Sequence, residues 1–184
     1  MGKTALTGGI GSGKSYVCSL LRQRGIEVYD CDSAAKRIIS EKESVREQLR
    51  RLIGPDTFVD GSLNKTAVSA FLLASHTNAE AINAIVHPAV ADDFECSDSQ
   101  WMECAILYES GFDRLVDTVI AVSAPLETRI RRIMKRDGVS RQRALEWINR
   151  QMPAEEVERR AKFIVVNDGQ MDVDAQLDAI LAQL

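Results

Sequence analysis

Residues 6–16 read LTGGIGSGKSY, and this glycine-dense stretch constrains the fold more than any other part of the 184-residue chain. Gly8, Gly13, Lys14 and Ser15 fit the spacing GxxxxGK[ST]. The KTALT segment at 3–7 suits a short strand, and Val17, Leu20 and Leu21 fall on one face of a following helix. Strand, glycine loop and helix together separate a phosphate-binding P-loop from a chance glycine turn. The glycines let backbone N–H groups turn inward around phosphate oxygens, and the helix N-terminus adds partial positive charge. Gly9, Gly11, Ser12 and Gly13 are the expected loop contacts, Lys14 the expected cation for the β- and γ-phosphates, and the Ser15 hydroxyl the expected Mg²⁺ ligand. Tyr16, an unusual residue at a position where many P-loops carry a second hydroxyl, is grouped with them. A triphosphate is the implied ligand.

The remaining pattern alternates between strands and helices. Gly25 closes the first helix, and IEVYD at 26–30 reads as a second strand that delivers Asp30 and Asp32 beyond it. From Ser33 to about Cys96 helical patterns dominate, with Ile82, Ile85 and Val86 on one face before a stop signal at His87-Pro88. WMECAILYE (101–109), VDTVIAVSA (116–124) and FIVVN (163–167) are apolar and β-branched enough for three more buried parallel strands. The expected fold is α/β: a five-stranded parallel sheet flanked by helices, a P-loop NTPase fold with a helical insertion and a helical lid. The chain reads as a single domain, with a core at 1–32, 97–124 and 162–184, an insertion at 33–96 and a lid at 125–161. In the lid, Leu126, Ile130, Ile133 and Met134 form the apolar stripe of the first helix, leaving its charges to face outward. The last helix places Val173, Leu177, Ile180, Leu181 and Leu184 on the sheet.

Charge and composition remove several function classes. A net charge of −4 and a pI near 5.3 argue against general nucleic-acid binding. Seven of the 23 Lys and Arg residues nevertheless lie between Arg129 and Arg143, a local cluster suited to an anion. Apolar runs fall short of the roughly 18 residues of a membrane span, and no signal-peptide pattern precedes the loop, so a cytoplasmic protein without membrane partners is expected. Cys18, Cys31, Cys96 and Cys104 form no CxxC pair and suggest neither zinc nor disulfides. A guanine-reading NKxD is absent, since Asn64-Lys65 is followed by Thr66-Ala67. A motor-type strand ending in Asp-Glu is absent too, the third strand reading to Leu107-Tyr108-Glu109.

The loop, Asp30-Cys31-Asp32, His87-Pro88, Tyr108-Glu109 with Gly111, Arg136-Asp137-Gly138, Ile148 with Gln151, and Asn167 at the end of a late strand occur in one order. Over nearly its whole length the chain resembles the dephospho-coenzyme A kinase family. That resemblance implies a nucleoside-monophosphate-kinase-like core and ATP-dependent phosphorylation of the ribose 3′-hydroxyl of dephospho-coenzyme A, with ATP and that acceptor as partners and Mg²⁺ as cofactor. It implies Asp32 as proton acceptor with Asp30 beside it, and topology agrees, because a carboxylate after a parallel strand next to a P-loop faces the ligand crevice. Helix capping by the same aspartates is the competing reading. Arg132 and Arg136 match lid arginines that neutralise charge on ATP, Arg136 being the catalytic candidate alongside Lys14 and Asp32. His87 and Glu109 are implied on the acceptor side, and Asn167 and Gly169 near adenine, with helix-stop and turn-forming roles as alternatives for His87-Pro88 and for the late loop. The chain departs from the family pattern at Ala105-Ile106, Arg129, Trp147 and Lys162. Other acceptors of P-loop kinases (nucleoside monophosphates, shikimate, gluconate) and a non-catalytic ATP-binding regulator stay open, as does a monomer or weak homo-oligomer.

Overall fold

The structure, a computed structural model, describes residues 2–75 and 77–184. Its strands and helices run β1 (Thr4–Thr7), α1 (Lys14–Gln23), β2 (Tyr29–Asp30), α2 (Cys31–Glu41), α3 (Glu43–Ile53), β3 (Phe58–Val59), β4 (Ser62–Leu63), α4 (Lys65–Ala74), α5 (Thr77–Glu95), β5 (Trp101–Glu103), β6 (Thr118–Ser123), α6 (Leu126–Asp137), α7 (Arg141–Asn149), α8 (Ala154–Arg160), β7 (Phe163–Val166) and α9 (Val173–Leu181). Two compact units result: the chain up to Tyr29 together with Ser99–Leu184, and Asp30–Asp98.

In the first unit β1 is buried at all four positions because it is the middle of the sheet, whose order is β2-β5-β1-β6-β7. It pairs in parallel with β5 (Thr4 opposite Trp101) and with β6 (Thr4 opposite Thr118), and β6 pairs in parallel with β7 (Ile120 opposite Phe163). A strand covered on both faces requires a continuous apolar run, which is how ALT and VIAV read. One core joins Leu6, Ile120, Val122 and Val165 of the sheet to Val17, Leu20 and Leu21 of α1 and Leu177 and Ile180 of α9. A second, smaller one packs Ile130 and Ile133 of α6 against Ala144 and Ile148 of α7.

Three expectations about the first unit need correction. The second strand keeps only Tyr29–Asp30 of the expected 26–30; Ile26 and Val28 still pack on the core, so burial without a ladder produced the strand-like pattern. The third strand ends at Glu103 rather than Glu109. Residues after Cys104 fold into turns closed by Ser110 N–H to Ile106 O (2.9 Å) and Phe112 N–H to Leu107 O (2.9 Å), and Leu107 and Phe112 are buried from those turns. On α6, Leu126 and Met134 are exposed, whereas Arg129, expected outside, is 5% exposed.

The second unit consists of α2 to α5 and a two-residue hairpin between β3 and β4, turned by Asp60 (φ 47°) and Gly61 (φ 78°) as an Asp-Gly turn requires. Arg46 is buried there, donating to Ser40 O and Gly61 O while its guanidinium stacks on Phe58. The stop expected at His87-Pro88 does not occur: α5 continues to Glu95. Pro88 lies on the exposed side, and Val86, Ala89, Val90 and Phe94 are buried around it, so packing of that face outweighs the missing N–H. An exposed proline inside a helix is a net cost, and Pro88→Ala is expected to stabilise the protein by about 1–3 kcal/mol. Urea unfolding checks this as a higher midpoint at unchanged slope; a lower midpoint would mean that α5 depends on its proline bend.

Candidate functional site

The first turn of α1 is built to be left open. Gly13, its N-cap, has φ 98° and no side chain to cap with, and no acidic residue follows. The caps of α2, α4, α7 and α9 are by contrast Asp30, Asn64, Ser140 and Asp172, each accepting from the helix N–H groups. Among the described residues the N–H groups of Gly9, Gly11, Gly13, Lys14 and Ser15 have no partner. Five converging donors and a helix N-terminus suit an anion with several oxygens.

Turning those N–H groups one way turns the carbonyls the other way, and each outward carbonyl meets a donor. The Lys14 ammonium donates to Gly8 O (2.8 Å), Ser12 N–H to Gly9 O (3.1 Å) and Arg129 Nε to Ile10 O (3.0 Å). Arg132 Nη1 donates to Gly11 O (3.3 Å) and Ser12 O (3.0 Å), and Asn167 Nδ2 also donates to Ser12 O (3.0 Å). Arg132 Nη2 in turn donates to the backbone and side-chain oxygens of Asn167 (3.0 and 3.1 Å). The sequence-predicted Gly9, Gly11, Ser12, Gly13, Lys14, Ser15, Arg132 and Asn167 are therefore gathered in one place. Ser12 Oγ, buried and without a hydrogen-bond partner among the described residues, adds an orphan hydroxyl to the cradle. Tyr16 is exposed on α1, and Gly169 (φ 92°) lies in a turn made by Asp168 Oδ1 accepting from Gln170 and Met171 N–H, which hold that carboxyl below its usual range.

Other predicted residues stand apart from this cluster. Arg136, exposed near the end of α6, donates to the Asp137 carboxylate (2.8 Å). Glu109 accepts from Met152 N–H (2.9 Å) and so ties the turn after β5 to the segment before α8. In the second unit, Asp30 caps α2, accepting from Ser33 N–H (3.0 Å) and Ser33 Oγ (2.9 Å), as the capping reading held. Asp32, in the first turn of α2, is exposed. His87 is half-buried within α5, and burial pushes its pKa down, favouring the neutral ring.

Sequence reasoning missed Glu103, Arg129 and Gln151. Glu103 ends β5 beside β1 and lies 3.5 Å from the Lys14 ammonium; the misplaced strand end at Glu109 hid it. Gln151 Oε1 accepts from Ile10 N–H (2.7 Å), a role no spacing rule announces. Arg129 was visible as the start of the basic cluster and as a departure from a pattern, neither of which gave it a place at the loop. Burial pushes its pKa down, opposed by the nearby Glu155 and Glu158 carboxylates. No group of three potential metal-binding side chains exists among the described residues. The exposed Ser15 hydroxyl and the Glu103 carboxylate are nonetheless the hard oxygen donors that Mg²⁺ takes when phosphates and water complete its shell.

The comparisons with known proteins agree on one family. The family model described as dephospho-CoA kinase matches residues 3–173. A dephospho-CoA kinase from Bacteroides fragilis is 41% identical, the match covering 99% of this chain and 92% of that protein. A crystal structure from Thermus thermophilus is similar with a TM-score of 0.82 at 35% identity, covering 98% of this chain and 96% of that one. The dephospho-CoA kinase structure from Campylobacter jejuni, 20% identical with a TM-score of 0.68 over 98% and 96% of the two chains, shares the fold.

The Lys14 ammonium, held by Gly8 O and Glu103, is the mobile cation nearest the open N–H groups. Lys14→Met is expected to weaken Mg-ADP binding about a hundredfold, the loss of a charge-assisted contact to phosphate. Isothermal titration checks this, with circular dichroism confirming an intact fold; unchanged affinity would remove phosphate binding from this loop.

Proposed function

The chain belongs to the dephospho-CoA kinase family, and we propose from that premise that it transfers the γ-phosphoryl group of ATP to the ribose 3′-hydroxyl of dephospho-coenzyme A, giving coenzyme A and ADP as the last step of coenzyme A synthesis. The observation that carries the ATP half of the reading is the loop, with its carbonyls engaged by donors and its N–H groups open; membership of the family supports the acceptor. Among the described residues no helix is long and apolar enough to cross a membrane.

In the proposed reaction the open N–H groups and Lys14 bind the β- and γ-phosphates, Lys14 leaving Gly8 O and Glu103 for phosphate oxygens. Ser15, with Glu103 behind it, would hold Mg²⁺, which supplies charge neutralisation across the β- and γ-phosphates. Arg132 and the loop around Asn167 and Gly169 border the nucleoside, and Arg136 exchanges Asp137 for the transferred phosphoryl group. The insertion 33–96 receives the acceptor, with Asp32, His87 and Glu109 as the residues the family resemblance assigns to it, and 125–161 covers ATP as a lid that excludes water. The acceptor hydroxyl oxygen attacks phosphorus, its proton passes to the Asp32 carboxylate, and the bond from phosphorus to the ADP oxygen breaks. Because the transition state of phosphoryl transfer is loose, Asp32 orients the hydroxyl as much as it deprotonates it.

The test is ADP release from Mg-ATP with dephospho-coenzyme A, beside AMP, shikimate, gluconate and water, the product located by phosphorus NMR. Turnover dependent on dephospho-coenzyme A and a new 3′-phosphomonoester are expected; turnover with another acceptor alone would reassign the substrate. Asp32→Asn is expected to lower kcat by about 10²–10⁴-fold, and a near-normal kcat would remove Asp32 from the chemistry.

A further inference from the structure

The peptide groups on both sides of Ile10 are gripped from outside the loop. Its N–H donates to Gln151 Oε1 (2.7 Å), and its carbonyl accepts from Arg129 Nε (3.0 Å). The two gripping residues come from the start of α6 and from just beyond α7, which pack together through Ile130, Ile133, Ala144 and Ile148, with Ile10 itself against that cluster. Arg129 is 5% exposed, a burial that no other arginine of α6 shares, Arg132 being half-buried where it turns to the loop. A guanidinium held out of water in this way has to be fixed by what it touches.

Gly9 records how close that contact is. Its φ lies outside the left-handed range, so its backbone suits any L-residue, yet a Cβ there would overlap the Arg129 guanidinium, whose atoms are its three nearest neighbours. The case differs at Gly11, where a Cβ would come 2.7 Å from a backbone oxygen at φ 80°, and at Gly13, where φ is 98°. Gly9 is therefore a glycine for the sake of one side chain.

We propose that Arg129 is a positioning residue for the phosphate loop: with Gln151 it clamps Ile10, setting the curvature that keeps the neighbouring N–H groups aimed at phosphate, and Gly9 is the space the clamp needs. The proposal rests on the reading of this loop as the ATP site. It makes Arg129 act on nucleotide binding through the loop, without touching the acceptor. Since the loop is equally curved for bound ATP and for the transition state, the clamp contributes uniform binding, which appears in KM for ATP and leaves kcat alone.

Three variants test this: Arg129→Met, Gly9→Ala and the double variant. Each is titrated with Mg-ADP well below its melting temperature and assayed with both substrates varied. Arg129→Met is expected to raise the Kd for Mg-ADP and the KM for ATP about tenfold, the size of one lost hydrogen bond from a charged donor, with kcat within about threefold and the acceptor KM unmoved. Gly9→Ala, which keeps every buried group and whose added Cβ meets the guanidinium as its nearest protein neighbour, is expected to give a similar loss. The double variant is expected to match the singles instead of multiplying them. The proposal is overturned if either single variant stays within about twofold of the wild type, if the two losses multiply, or if kcat and both KM values worsen together as general loosening would make them. Failure of the wild-type chain to bind Mg-ADP would instead overturn the nucleotide reading on which the clamp stands.

Discussion

A peptide unit cannot turn its N–H inward without turning a carbonyl outward, and most of the first unit answers that constraint. The open N–H groups of Gly9, Gly11 and Gly13 share their peptide units with the carbonyls of Gly8, Ile10 and Ser12, and these, with the carbonyls of Gly9 and Gly11 between them, each need a donor. Those donors come from four directions: Lys14 within the loop's own helix, Ser12 across the loop, Arg129 and Arg132 on α6, and Asn167 after β7. Arg129 and Arg132 of α6 thus complete the hydrogen bonding of the loop, and so bind the first unit's sheet, loop and basic helices into one interdependent arrangement.

Electrostatics follows the same logic. An uncapped helix terminus, Lys14 and two partly buried arginines put a concentration of positive charge around residues 8–15, in a chain whose net charge is −4. Glu103 balances Lys14, and Glu155 and Glu158 act on Arg129 from the other side. Internal partners of this kind offset part of the desolvation of the site's cations within the folded chain.

The second unit is held by different means: helices α2, α3 and α5 packed together, Asp30 capping α2, and Arg46 filling the space between backbone carbonyls and Phe58. None of these contacts is specific to a chemistry. Fold alone leaves the acceptor open, and family membership carries that assignment.

The phosphate loop, the sheet's central strands and the terminal helix were legible because each depends on a local rule: glycine spacing, a continuous apolar run, and apolar residues at helical spacing. The Asp60-Gly61 turn was equally present in the sequence and went unread. Where burial came from something other than the expected element, the same rules misled. Leu107 and Phe112 are buried by turns, Ile26 and Val28 by packing without a ladder, and α5 passes through Pro88 because its neighbours are buried. Apolarity reports that a residue is covered and says nothing of the hydrogen bonds that cover it. The partners of a backbone carbonyl are farther still from local signals. Arg129 and Gln151 reach Ile10 across more than a hundred residues of chain, and Glu103 meets Lys14 because β5 and β1 are neighbours in the sheet. The sequence by itself determined that an anion-binding loop would form and where it would lie; tertiary structure alone decided what holds it, because that is settled by which distant donors the folded chain brings to a carbonyl that has turned away from its ligand.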